Sequence, residues 1–380
     1  MENKEAKATK PKRGLRWWVL VFLGTALVIL VFLWISRRAG TPSIEQQLAA
    51  IEAARAIPDE ENAAVIYNEL LETVYVYSTQ PAFVVMTDPA AISGPWLSKD
   101  HPETAAWLRG HESTILKLKE AVAKRECRLP IGLDPVILSR HNNLAKTMRQ
   151  WTYLLVAAGN NDIAEGRIDT GVEKYLSVLQ MAEHVGQQPM VIDLLVSIAL
   201  EAVASKNVST FIVEGDCTKE HLDTIEEALP PTSDDWLKNP SKAIELEMLL
   251  AKKKGNILGW WILRLQDPQR AALERCEELC RRTLASRRGA YILLALRRYK
   301  NTNGSWPHSL DEVKSLAPPE VFVDPLNAGS FVYKLTQDTF TLYSRGQNNI
   351  DENGNHTGGA DDWLIWPPSS RRTQTPQPPQ

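Results

Sequence analysis

The chain has 380 residues, 44% hydrophobic and 23% charged, with 20 glycines and 23 prolines. This composition excludes wholesale disorder and a collagen-like repeat, and it leaves apolar material for one large or two ordinary cores. The net charge of -3 conceals a basic start: Lys4, Lys7, Lys10, Lys12, Arg13, Arg16, Arg37 and Arg38 all precede residue 39, so the body is more acidic than the whole. Nucleic-acid binding needs clustered Lys and Arg on the folded part, and an acidic body excludes it as the main function.

In chain order, residues 1–16 read as a basic cytoplasmic tail. Trp17 to Ile35 is an uncharged run of 19 residues, about 28 Å long as a helix, against a bilayer core of about 30 Å. Trp17, Trp18 and Trp34 sit at its ends, where indoles prefer the headgroup level. The spacing predicts a transmembrane helix over 17–35. The larger basic cluster precedes it, which predicts a single-pass protein of the inner (cytoplasmic) membrane with its amino terminus in the cytoplasm and the rest extracytoplasmic. The run exceeds the ~7–15 apolar residues of a signal peptide and ends in Ser36-Arg37-Arg38 instead of small residues, so an uncleaved anchor is expected.

Residues 41–265 read mainly as helix, because apolar residues recur at three- and four-residue spacing. Pro58-Asp59-Glu60-Glu61-Asn62 opens one helix, and another runs near 102–125. The clearest part is 143–214. Leu144, Met148, Trp151 and Leu155 form one stripe; Val172, Tyr175, Leu179 and Met181 form a second after the Gly166 turn; Ile192, Leu195, Val196 and Ala199 form a third beyond Pro189. Antiparallel helices joined by short turns resemble a tetratricopeptide-like solenoid, without its signature residues or a clean period. This helical-hairpin region reads either as a protein-docking surface or as a supporting bundle. The segment KKKGNILGWWIL at 252–263 reads as a buried helix end with a basic shoulder, the other reading being a membrane-surface segment.

A helix is expected from Asp267-Pro268 to about Tyr299, stopped by Asn303-Gly304. Ser309-x-x-Glu312 is a capping box. The pattern then changes to period two: Phe331, Tyr333 and Leu335 pair with Phe340 and Leu342 as a hairpin, and Asp362 to Trp366 supply a third strand. The fold class expected is therefore α+β: a single amino-terminal transmembrane helix, a mainly helical hairpin or solenoid-like middle, and a small α+β domain with an antiparallel sheet over 267–367. The tail 368–380 lacks apolar residues and reads as disordered.

The helix with Leu294 to Tyr299, the Gly304-x-Trp306-Pro307-x-Ser309-Leu310 turn, Asp324-Pro325, the hairpin, and Ser344-x-Gly346 before an acidic loop resemble the globular domain of the type II secretion major pseudopilins, over roughly residues 286–367. The prepilin processing motif is absent, with Val19 where its glutamate would stand, so the reading is a borrowed domain on a different protein. The resemblance implies an extracytoplasmic domain whose last loop binds calcium. Asn349, Asp351 and Asn353 place oxygens at alternate positions, as a hard cation requires; the resemblance adds Ser344, Asn348 and the Asp361-Asp362 pair as metal ligands. The other reading of the loop is a solvated polar turn.

No nucleophile elbow, phosphate-binding glycine loop or zinc-protease helix occurs in the sequence. Cys127, Cys217, Cys276 and Cys280 permit three pairings, and sequence does not choose among them. The function expected is a non-enzymatic, membrane-anchored envelope scaffold with an unidentified protein partner. The alternatives are a component of a type II secretion-like apparatus and an exported hydrolase using His101, His111, Glu112 or Asp100.

Overall fold

The computed structural model describes residues 42–76, 88–132, 134–253, 267–337 and 339–368. The expected membrane helix over 17–35, the basic tail before it, most of the 252–263 segment and the tail from 369 lie outside the described residues. Among the described residues no helix is long and apolar enough to cross a membrane. The three longest carry charges along their length: the 37-residue helix has Arg281, Arg287, Arg288 and Arg297, the 30-residue helix has Arg140, Lys146, Arg149 and Asp162, and the 24-residue helix has Asp193, Glu201 and Lys206. The expected fold class is corrected accordingly to a mainly helical chain with one small antiparallel sheet. The single-pass inner-membrane localisation and the signal-anchor, which depended on a spanning helix, are corrected with it.

The chain divides into two compact units, residues 1–51 and 52–380. The described part of the first is the start of α1 (Ile44–Ala54), opened by a capping box in which the Ser43 amide donates to Gln46 Oε1 (2.8 Å) and the Gln46 amide donates to Ser43 Oγ (3.1 Å).

The second unit contains α2 (Ala63–Val76), α3 (Pro102–Gly110), α4 (Glu112–Val122), α5 (Pro135–Ala164), α6 (Ile168–Gly186), α7 (Val191–Glu214), α8 (Lys219–Ala228), α9 (Asn239–Lys253) and α10 (Asp267–Asn303). The three stripes expected over 143–214 are α5, α6 and α7. Asp134 starts α5, its Oδ1 accepting from the amides of Val136 and Ile137, with Pro135 in the first turn. Gly166, at φ +79°, turns the chain into α6. Where α5 crosses α6 the backbones meet at Gly159 and Gly171: a Cβ on Gly159 would lie 2.7 Å from the Tyr175 ring, and one on Gly171 would lie 2.9 Å from the Gly159 carbonyl. Trp151 is fully buried and stacks on Tyr67 of α2 at 5.8 Å.

Helix α10 is buried on several faces, with Ile292, Leu293, Leu294, Ala295 and Leu296 all inside the core. It packs against α7, α8 and α9 and also carries the sheet. The sheet is antiparallel in the order β1 (Val332–Leu335), β2 (Phe340–Ser344), β3 (Trp363–Trp366), with Tyr333 opposite Leu342 and Leu335 opposite Phe340. A bulge between Leu342 and Tyr343 breaks the alternation, so Leu342, Tyr343 and Ser344 are all buried. The Ser309 capping box forms as expected and leads a 3-10 turn instead of an α-helix. The sheet lies close enough to α10 that a Cβ on Gly289 would meet Ile365 at 2.5 Å. One core runs from Ala63 to Trp366.

Polar pairs fasten α10 to the helical layer. Arg287 donates to both oxygens of Glu201 on α7 at 2.7 Å, lies 4.0 Å from the Trp236 ring, and both charged side chains are buried. Arg297 donates to the carbonyls of Ile212 and Val213, which the end of α7 leaves without helical partners.

Two outcomes test this packing. Gly159→Ala should cost about 1–3 kcal/mol through overpacking, whereas Gly110→Ala, with open space around the added methyl, should be neutral or stabilising by up to ~1 kcal/mol; denaturant midpoints compare them. Glu201→Ala should cost about 3–5 kcal/mol by leaving Arg287 buried without its partner, and the thermal unfolding curve reads that loss.

Candidate functional site

The loop from Ser344 to Asp362 joins β2 to β3 and holds every expected metal ligand, but it does not bring all seven together. Asp361 Oδ2 accepts from the amides of Gln347 (2.9 Å) and Asn348 (3.3 Å). Asp362 Oδ2 accepts from the amides of Glu352 (3.0 Å) and Gly354 (2.7 Å). The second oxygen of each, Oδ1, is buried and meets no donor among the described residues. Asp361 is seated directly over Gly346, where a Cβ would lie 1.6 Å from Oδ1. Gly346 also has φ +64°, so glycine alone fits there. Burial raises the Asp362 carboxyl above the ordinary carboxylate range, opposed by the Gly354 and Glu352 amides.

The other five expected ligands are occupied elsewhere or turned to solvent. Asp351 accepts from the Tyr343 hydroxyl (2.7 Å), from the Asn353 amide (2.9 Å) and from Lys334 (3.1 Å); these bonds, the Tyr343 hydroxyl foremost, hold its carboxyl down at about 2. Lys334 also donates to Asn353 Oδ1, so a lysine from β1 already supplies the cation on that side. Asn348 donates to Glu352 and accepts from the Ile350 amide. Asn349 and Asn353 adopt left-handed backbone, at φ 56° and 59°, and turn the loop. Ser344 is fully buried, accepts from the Gly346 amide, and hydrogen-bonds Asp324, a buried carboxyl raised by desolvation.

A hard cation needs about six to eight oxygen ligands. Among the described residues no group of three His, Cys, Asp or Glu side chains converges on one point. The residues that fit a cation are Asp361 and Asp362, each with one oxygen fixed by loop amides and one buried without a donor.

The residues considered for hydrolysis are separated. His101 stands at the start of α3, its Nδ1 donating to Asp88 Oδ2 (2.7 Å), an oxygen that also accepts from the Thr104 hydroxyl (2.6 Å). His111 stands at the far end of the same helix with Nδ1 on the Trp107 carbonyl (2.8 Å). The nine-residue helix places the two histidines roughly 15 Å apart. Glu112 begins α4, and the Asp100 amide closes a turn onto Leu97. All four cysteines are buried free thiols, and burial pushes Cys127, Cys217 and Cys280 up to about 12.

Sequence reasoning missed the buried polar residues of the helical layer. His141 meets Asp193, and His184 meets Tyr67, from positions 52 and 117 residues apart respectively. Their only local signal is a histidine on an otherwise apolar helix face, which fits a satisfied core residue equally well.

No protein-family model matches the chain, and comparison with characterised proteins and with solved structures returns no significant match.

The occupied state of Asp351 has a measurable consequence. Tyr343→Phe should move its titration up from about 2 toward the ordinary carboxylate value of 3.8, followed by carboxyl-carbon NMR. The sign follows from a lowered folded value: the stability it contributes is present above the unfolded value and disappears as pH falls through about 2. Calcium should leave that titration unmoved.

Proposed function

We propose that the protein is a non-enzymatic scaffold: a layer of helical hairpins that carries a pseudopilin-like α+β region, with a calcium ion stabilising the loop before β3. The observation that carries the reading is the pair of adjacent carboxylates, Asp361 and Asp362, each with a buried oxygen that no donor among the described residues satisfies. A buried carboxylate oxygen without a partner is costly, and a cation removes that cost. Asp361 and Asp362 would hold the ion; loop carbonyls and water complete an oxygen shell of this kind in general. The ion supplies charge neutralisation only.

The resemblance that suggests calcium is supported by the order of elements from α10 through the capped turn and hairpin to β3. The scaffold reading is supported by the consecutive antiparallel α5, α6 and α7, an arrangement that offers extended helix faces to a protein partner. The acidic body favours a partner other than nucleic acid.

Millimolar calcium should raise the melting temperature of the full chain by a few degrees relative to chelator, on the order of 1 kcal/mol for a site with Kd near ~10⁻⁴ to 10⁻³ M. Asp361→Asn combined with Asp362→Asn should abolish the rise, and Asp351→Asn should retain it. Superimposable melting curves with calcium and with chelator would show the loop to be a polar turn.

A further inference from the structure

Helix α10 carries two of the four free cysteines, Cys276 and Cys280, on successive turns. Packing encloses both: Cys280 is fully buried and Cys276 is 8% exposed. The pair faces the junction of three helices. Glu247 of α9 acts on the Cys276 thiol, and Glu201 of α7 and Arg287 of α10 act on that of Cys280. The other two cysteines belong to different elements, Cys217 just past α7 with its thiol donating to the Phe211 carbonyl (3.4 Å), and Cys127 between α4 and α5.

The spacing of the pair selects its chemistry. Residues four apart on a helix share a face, with Cβ atoms about 5–6 Å from one another. A disulfide needs Cβ atoms about 3.5–4.5 Å apart, so an intact α10 holds these two thiols too far apart to be joined directly. Two metal–thiolate bonds in line, each about 2.3 Å long, span ~4.6 Å between the sulfurs, a distance that two side chains leaning together from adjacent turns supply.

The surroundings then select the metal. Among the described residues no third His, Cys, Asp or Glu side chain converges with the pair. Glu247, the nearest carboxylate on α9, already accepts from the Val191 amide (2.9 Å). A structural zinc ion takes four ligands, and calcium or magnesium takes oxygens. Two thiolates shut away from water suit a soft monovalent ion, for which two ligands in line suffice, and thiolate selects Cu(I) among the biological metals.

We propose that Cys276 and Cys280 form a two-thiolate site for cuprous ion at the junction of α7, α9 and α10. The site is separate from the acidic loop and does not rest on the calcium reading. Binding replaces two S–H bonds by two S–Cu bonds; both protons leave to solvent and the copper stays monovalent, so no oxidant or reductant takes part. The occupied site carries one net negative charge beside the Arg287 guanidinium, which favours the Cys280 thiolate. Burial raises Cys276 and pushes Cys280 up to about 12, so both thiols keep their protons until the metal displaces them. Loss of two protons makes the affinity rise about a hundredfold for each unit of pH below that range. Cys276, the less enclosed of the two, is the side from which the ion enters.

Competition between the reduced full chain and bicinchoninate for Cu(I), under nitrogen, tests the proposal. The chain should hold one equivalent, with an X-ray absorption spectrum of copper bound by two sulfurs alone. Cys276→Ser should lose that equivalent, and Cys127→Ala combined with Cys217→Ala should keep it. Copper left entirely with bicinchoninate would overturn the proposal, as would uptake that survives Cys276→Ser or a spectrum with a third ligand. Should Cys276→Ser fail to fold, alkylation mapping of the unmutated chain decides. Cu(I) should slow iodoacetamide modification of Cys276 and Cys280 by about tenfold or more relative to Cys127 and Cys217; equal slowing of all four, or of none, overturns the assignment.

Discussion

A peptide group taken out of water must find a partner, and most of the unusual features of this protein are answers to that requirement. The segment 124–131, a strap between α4 and α5, shows it most clearly. Cys127 and Leu129 insert into the common core, so the intervening main chain is carried inside with them. Among the described residues no strand runs alongside to pair with it beyond the single bridge between Asn62 and Glu126. Asparagine and glutamine, each with a donor and an acceptor on one side chain, therefore do what a strand would do: Asn62, Gln187 and Gln188 each bond both an amide and a carbonyl of the strap. The same bonds fix α2 against α6, so the strap and the helix packing depend on one another.

The acidic loop answers the same requirement with carboxylates. Asp361 and Asp362 each collect two loop amides, which holds a long connection in one shape without regular structure. The arrangement leaves a surplus of negative charge. On one side Lys334 offsets it at Asp351, and on the other nothing in the described residues does so. At the α7–α10 interface the surplus is balanced internally, since Arg287 and Glu201 satisfy one another and Arg297 takes the free carbonyls of α7. The buried Arg287–Glu201 pair is thus satisfied where two helices meet, whereas the two aspartates before β3 each keep one oxygen without a donor among the described residues.

Much of the framework was legible in the sequence because it rests on local rules. The stripes of α5, α6 and α7 follow from helical spacing, the stop at Asn303-Gly304 from the left-handed turn at Gly304, and the hairpin from alternation around Thr336 to Thr339. The strap was not legible, since it has no periodicity and each of its bonds joins residues about 60 or more positions apart or reaches across to another helix. The candidate ligand set was legible in composition only. Alternate oxygens at Asn349, Asp351 and Asn353 match a cation loop, but a cross-strand lysine turns Asp351 and Asn353 toward itself. The bulge at Leu342 and Tyr343 was equally hidden, because it is set by pairing with β3 across the loop. The membrane helix was read from residues that lie outside those described, and the long helices that are described are too charged to take its place.

Helix α10 joins the helical layer to the sheet. It meets α7 through Arg287 and Arg297 on one side, and it receives the sheet on the other, at Gly289 beneath Ile365 and at Ser286 beneath Trp363, whose indole donates to Ser286 Oγ at 2.9 Å. Asp362 immediately precedes Trp363, the first residue of β3. Whatever satisfies the second oxygen of Asp362 therefore also fixes where β3 begins, and with it how Ile365 seats against Gly289. Because an added methyl at Gly289 would overlap Ile365, that seat tolerates little displacement. The charge state of the loop is in this way tied by two close contacts to the helix on which the helical layer is built.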